Sequence, residues 1–296
     1  MSSTYWREVP TRFRSKVNKD IRRSVGLNQE PPPRCEDPET AYFPVDGVAR
    51  IVHGDLSSML VGGIGSLFFQ LLHPLAMAGV AQHSRYQNDP FGRLLQTANF
   101  IGTTTYGTRS DAYAAIERVL AVHEAVRGTA DDEAPYYAND PHLLAWVHAA
   151  ETSMFLRGYL RFGKLRLTRD QCDTYVKEMS RLARDLNVED PPSTVAQLDA
   201  TIERFRPELR LSNDGVIGRD FVINGFSKGP LQRAAYRLLV LSALELLDPW
   251  ARDLLGVRTK PFLIRHVIRG ATHLLCSTLR AFVPPTKPVS GPSSQH

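Results

Sequence analysis

The sequence predicts an all-α fold, a single globular domain. Three observations carry this. Apolar residues recur at three- and four-residue steps, as in Ile116, Val119, Leu120 and Val126 of "IERVLAVHEAVRG", which marks one helix face. Segment starts pair a capping residue with a proline, as in Asp89-Pro90 and Asp140-Pro141, which suits the first turn of a helix. Sustained two-residue alternation with hairpin turns is missing, and "GVARIVHG" is the one candidate strand. At 296 residues the chain suits one core of roughly ten helices.

Residues 1–30 read as a basic helical arm, 31–285 as the all-α domain and 286–296 as a disordered Pro/Ser tail. Within the domain, "EPPPRCEDPETAYFPVDG" is a Pro-rich connector. The stretch from Gly47 to Ser84 reads as two helices, the second starting at Pro74. Asp89 caps a further helix that dissolves into "GTTTYGTRSD", and Ser110 or Asp111 caps the next one. That helix carries His123 and ends at Arg127-Gly128. Asn139 or Asp140 caps a long helix, a Thr-x-x-Gln box opens another at Thr168, and a serine opens "STVAQLDATIERF". Two strongly apolar helical segments, ending near Asp248-Pro249 and at "AFVPP", close the domain.

Composition narrows the function classes. With 43% hydrophobic and 23% charged residues, the chain is an ordinary globular protein. Much of the net charge of +5 sits in the first 25 residues. Such an arm suits an anionic partner. No helix-turn-helix signal, zinc spacing or aromatic-interleaved basic patch follows it, so no nucleic acid is expected as partner. Cys35, Cys172 and Cys276 lie far apart. Their odd number argues against a disulfide framework and for a cytoplasmic location. The polar N-terminus lacks the apolar run of a signal peptide. The most apolar stretch, Met59 to Val80, is broken by glycines, Gln70, His73 and Pro74. A membrane span needs roughly 20 mostly apolar residues, so this stretch is expected as buried helix and no membrane span is expected.

Motifs for nucleotide binding, zinc proteolysis and serine hydrolysis are absent from the sequence. "GGIGS" (62–66) lies in an apolar helical context and reads as close helix packing. The histidines carry more information. Of nine, His73, His123, His148 and His273 fall in segments expected in the core. Each alone suits a neutral imidazole bonded to backbone. Several together also suit ligation, because imidazole is a common metal ligand and a helix histidine commonly holds haem iron. Arg93 and Thr97, four apart, share a helix face. They suit either a surface arginine above a self-bonded threonine, or a guanidinium pairing with an anion beside a hydroxyl that faces a ligand.

The order of "LLHPLAMAGVAQHSRYQNDPFGRLLQT", "YG", "VHEAVRG", "YYANDPHLLAWVHA" and "LLDPWARDLLGV" resembles the family of MpaB and the latex clearing proteins, the rubber oxygenases, over about residues 45 to 260. The resemblance implies a helical fold around a buried haem b held by one histidine. It implies His123 as the iron ligand. It places the family's Arg-x-x-x-Thr pair on Arg93 and Thr97, with Arg93 on a haem propionate. His148 is a rival or supporting cofactor residue, and His73 or His83 is a candidate distal residue. Two departures weigh against polyisoprene as substrate. Gln96 stands where rubber oxygenases place a lysine, and Leu60 to Ser84 contains no carboxylate.

The expectation is therefore a haem-dependent oxygenase or peroxidase-like oxidase. Its catalytic residues are Thr97 and His73, its cofactor residues His123, Arg93 and His148, and its metal ligand His123. Its partners are an apolar or aromatic small molecule and dioxygen or peroxide, and a homo-oligomer is compatible with the sequence. The alternative is a haem- or lipid-binding protein without turnover. A third, weaker reading is an arm-mediated partner protein whose core histidines are only structural.

Overall fold

The computed structural model describes residues 34–84, 86–225, 229–258 and 260–282. The expected basic arm and the Pro/Ser tail lie outside the described residues. Among those described are twelve α-helices. The first five are α1 Val48–Gly54, α2 Leu56–Gln70, α3 Pro74–His83, α4 Pro90–Tyr106 and α5 Arg109–Glu124. A small antiparallel hairpin follows, β1 Arg127–Thr129 and β2 Pro135–Tyr137, pairing Gly128 with Tyr136. Then come α6 Pro141–Phe162, α7 Arg169–Asp185, α8 Val195–Phe205, α9 Asn213–Asn224, α10 Pro230–Leu246, α11 Pro249–Leu254 and α12 Phe262–Phe282. The all-α class holds.

The core is organised along α6. Its Trp146, Ala149, Ala150 and Met154 have no exposed surface. Helix α2 lies along α6, with α10 and α12 covering α2 and α7 and α8 flanking α6. The "GGIGS" run makes the α2–α6 contact close. A Cβ on Gly62 would meet the Met154 carbonyl oxygen at 2.8 Å, and one on Gly158 would meet Gly62 Cα at 2.9 Å. Helix starts follow the expected chemistry at three places. Asp89 accepts from the Gly92 N–H and Asp140 from the His142 N–H, both at 2.9 Å. Thr168 and Gln171 form the reciprocal box. Each such cap contributes about 1 kcal/mol.

Several expectations are corrected. "GVARIVHG" is helix α1, not a strand, because α7 caps it from a distance. The Glu178 carboxylate accepts from the Val48 and Ala49 N–H groups at 3.2 and 2.6 Å. Helix α4 continues through the threonines to Tyr106. Thr104 turns its hydroxyl back to the Phe100 carbonyl at 2.9 Å, and Thr105 meets His53 at 2.8 Å, so neither needs a loop to satisfy it. Thr108, not Ser110 or Asp111, caps α5, and Asp111 closes its box. The same helix ends at Glu124, before Gly128, and Arg127 donates to the Glu124 carbonyl. Thr194 rather than Ser193 caps α8. Helix α9 was not expected, since Gly215 and Gly218 weaken its pattern. Gly218 is there because α3 and the α2 end crowd it, leaving a Cβ only 2.5 Å from Leu71 Cδ2. Among the described residues no single helix is long and apolar enough to cross a membrane, and the one pair that passes by composition, α1 and α2, meets at 89°.

Candidate active site

The α4–α5 hairpin stands partly off the core. From Gly92 to Thr103 no described side chain is fully buried, and Leu94, Leu95, Phe100 and Ile101 are half-buried. On α5, Ile116 is buried while Val119, Leu120 and His123 are only half-covered. The apolar residues of this hairpin are left half-covered, which makes its face toward α6 a candidate slot.

The hairpin's Arg93 acts electrostatically on His123 of α5 and on Glu151 of α6. His123 lies in the last turn of α5, with Nδ1 buried and without a hydrogen-bond partner among the described residues. Burial, then the nearby Arg93 charge, push its pKa down, and the Asn139 amide opposes them. Asn139 is held in place by its own Nδ2, which donates to the Leu120 carbonyl at 3.0 Å and the Glu124 carboxylate at 2.9 Å. Its Oδ1 is buried without a partner. Arg93 is exposed and makes no ion pair among the described residues, yet its charge reaches both His123 and Glu151.

Glu151, on α6, is the residue that sequence reasoning left aside. It is largely buried, and burial raises its carboxyl to about 7, against the opposing pull of Arg93 and Gln70. Gln70 Nε2 of α2 donates to Glu151 Oε1 at 3.5 Å. The signal was a lone glutamate in "HAAETSMF", a run otherwise free of charge. His148 and Thr152, four residues apart on α6, share a helix face beside it. His148 Nε2 and Thr152 Oγ1 are both buried without partners among the described residues. Burial takes His148 down to about 4, so it is neutral. Buried polar atoms almost always find a partner, and four of them here belong to residues on or beside these helices.

The remaining expected residues are placed as follows. Thr97 gives its hydroxyl to the Arg93 carbonyl at 3.2 Å, which is the self-bonded alternative. His73 is not brought to this group. It packs against Trp146 and Phe205, beside His142 and Glu208. At about 100° per residue, His142 and Trp146 lie on the face of α6 opposite Glu151. His83 Nε2 lies 3.2 Å from the Tyr136 hydroxyl. His273 is exposed rather than in the core. His53, not singled out from the sequence, is largely buried and bridges Thr105 at 2.8 Å and Tyr175 at 3.0 Å. The cavities of about 380 and 240 Å³ found among the described residues are lined by other residues.

Fold and site together define an all-helical domain in which the Arg93 charge of one helix hairpin reaches His123 and the buried carboxyl of Glu151. Residues 50–281 match the model of the ER-bound oxygenase mpaB/B'/Rubber oxygenase catalytic domain, and the chain belongs to this family of oxygenase catalytic domains. No curated protein and no solved structure matches the chain.

Proposed function

We propose that the protein is a haem b-dependent oxygenase, or peroxidase-like oxidase, acting on an apolar or aromatic small molecule with dioxygen or peroxide. The observation that carries the proposal is that Arg93 of the α4–α5 hairpin acts on both His123 and the buried Glu151, while His148 Nε2 and Thr152 Oγ1 of α6 are buried without a partner among the described residues. Such groups are costly unless a bound partner satisfies them. A flat, apolar ring system with two carboxylates suits a half-covered apolar slot edged by Arg93.

In this reading His123 holds the iron, and Asn139 orients the imidazole, as partners of ligating histidines do. Arg93 pairs with a propionate. Leu94, Leu95 and Phe100 exclude water from the slot. Glu151 holds a proton on its carboxyl below about pH 7 and releases it above, which suits it to move a proton near neutral pH. Thr97 and His148 stand as further residues of the slot. When bound, the haem supplies the oxygen chemistry itself.

The test is dioxygen uptake by the haem-loaded protein with a reductant and apolar candidate substrates. Uptake that depends on substrate and falls in Glu151→Gln supports the oxygenase. A haem-loaded protein that consumes no dioxygen or peroxide with any of them supports binding without turnover.

A further inference from the structure

We infer that His73, His142 and Glu208 form a second, separate metal site, one that takes a divalent transition cation of the zinc class on the face of α6 away from the slot. Three chain segments meet here. His73 is the N-cap residue of α3, His142 lies in the first turn of α6, and Glu208 ends the short 3₁₀ turn Arg206–Glu208 that follows α8. His142 Nε2 stands 2.8 Å from Glu208 Oε2, and His73 Nε2 stands 3.7 Å from the same oxygen. All three ligand atoms lie within 4.8 Å of one another.

These separations suit a metal. Bonds of about 2.0–2.1 Å in a tetrahedral site place neighbouring ligand atoms about 3.3 Å apart. The two histidine-to-carboxylate distances bracket that value. The donor set, two imidazoles and one carboxylate, is one that zinc takes while keeping a fourth position open. His142 and Glu208 are exposed here, so the fourth position faces solvent.

His73 supplies the independent observation. It is 2% exposed, and both of its ring nitrogens are buried without a hydrogen-bond partner among the described residues. Trp146 and Phe205 pack around it and hold the ring in place. A buried imidazole with nothing to bond to, aimed at two other ligand atoms, is accounted for by an ion between them. Arg210, whose charge reaches His73, is engaged by Asp132. The ion would tie the start of α3, the start of α6 and the end of α8 together, so its role is a clamp.

The experiment uses the full chain. Zinc content of the purified protein is measured, and the protein stripped with chelator is titrated with zinc chloride by calorimetry. One saturable equivalent is expected, with a rise in melting temperature on zinc addition. His142→Ala and Glu208→Ala change exposed side chains and are expected to fold. Each should weaken zinc binding at least tenfold and remove the melting shift. His123→Ala should leave zinc binding unchanged, which separates this site from the slot. No saturable uptake, or uptake that survives both His142→Ala and Glu208→Ala, would overturn the inference.

Discussion

Glu151 of α6 and Gln70 of α2 meet inside the helix pair, with Gln70 Nε2 3.5 Å from Glu151 Oε1. The contact is long for a hydrogen bond and does not offset burial, so the carboxyl rests near pH 7. A buried acid in that state is a proton donor and acceptor at neutral pH, set beside the Arg93 charge.

The same relationship fixes a pH dependence of stability. An unfolded glutamate ionises near its ordinary value, while Glu151 in the fold keeps its proton up to about 7. The unfolded chain therefore binds fewer protons between those values, and the fold loses stability as pH rises through that window. Glu151→Gln keeps a neutral polar group and removes the titration. It should be the more stable protein at about pH 8, by roughly 3 kcal/mol, from about 2.5 pH units at ~1.4 kcal/mol each, and equal to the parent at about pH 4. Melting curves of the two haem-free proteins across that range check this. A difference that does not change with pH would contradict it.

Packing at the α2–α6 contact gives a paired prediction. A Cβ at Gly62 falls 2.8 Å from a backbone carbonyl oxygen, whereas one at Gly63 meets only the Phe155 ring edge at 3.6 Å. Gly62→Ala should cost about 1–3 kcal/mol through overpacking. Gly63→Ala should be neutral or stabilise by about 0.5–1 kcal/mol, the helix preference of alanine over glycine. Denaturant titration of both variants decides it, and equal effects would refute the close approach.

Arg93 makes no ion pair among the described residues and is exposed. Its removal should leave the helical content and the melting temperature unchanged. Haem affinity should fall about tenfold, equivalent to ~1.4 kcal/mol for one lost contact to a charged group. Haemin titration followed by absorbance measures this. An unchanged affinity would return Arg93 to a plain surface role.

Much of this was legible in the sequence. The helix starts at Asp89, Asp140 and Thr168 follow local capping chemistry, and local chemistry is what a sequence displays. That Val48–Gly54 forms a helix of its own, apart from α2, was not legible, because its N-terminal N–H groups are capped by Glu178, about 130 positions away. The same holds for the site. Arg93 and His123 could be singled out by type and spacing. Glu151 could not be assigned, because its environment comes from Gln70 on another helix and from burial. His73 looked like a distal residue because it flanks the predicted pocket helix. It lies instead on the opposite face of α6, a separation that depends on how the helices stack.

The most direct measurement for the whole account is the absorption spectrum of the haem-loaded protein and of its His123→Ala variant, each checked by circular dichroism. The account predicts a Soret band in the parent. It predicts a folded variant with that band lost, partly regained on adding imidazole, and a His148→Ala variant that keeps it. A His123→Ala protein with the parent's spectrum, together with a colourless His148→Ala protein, would contradict the assignment and move the iron to α6.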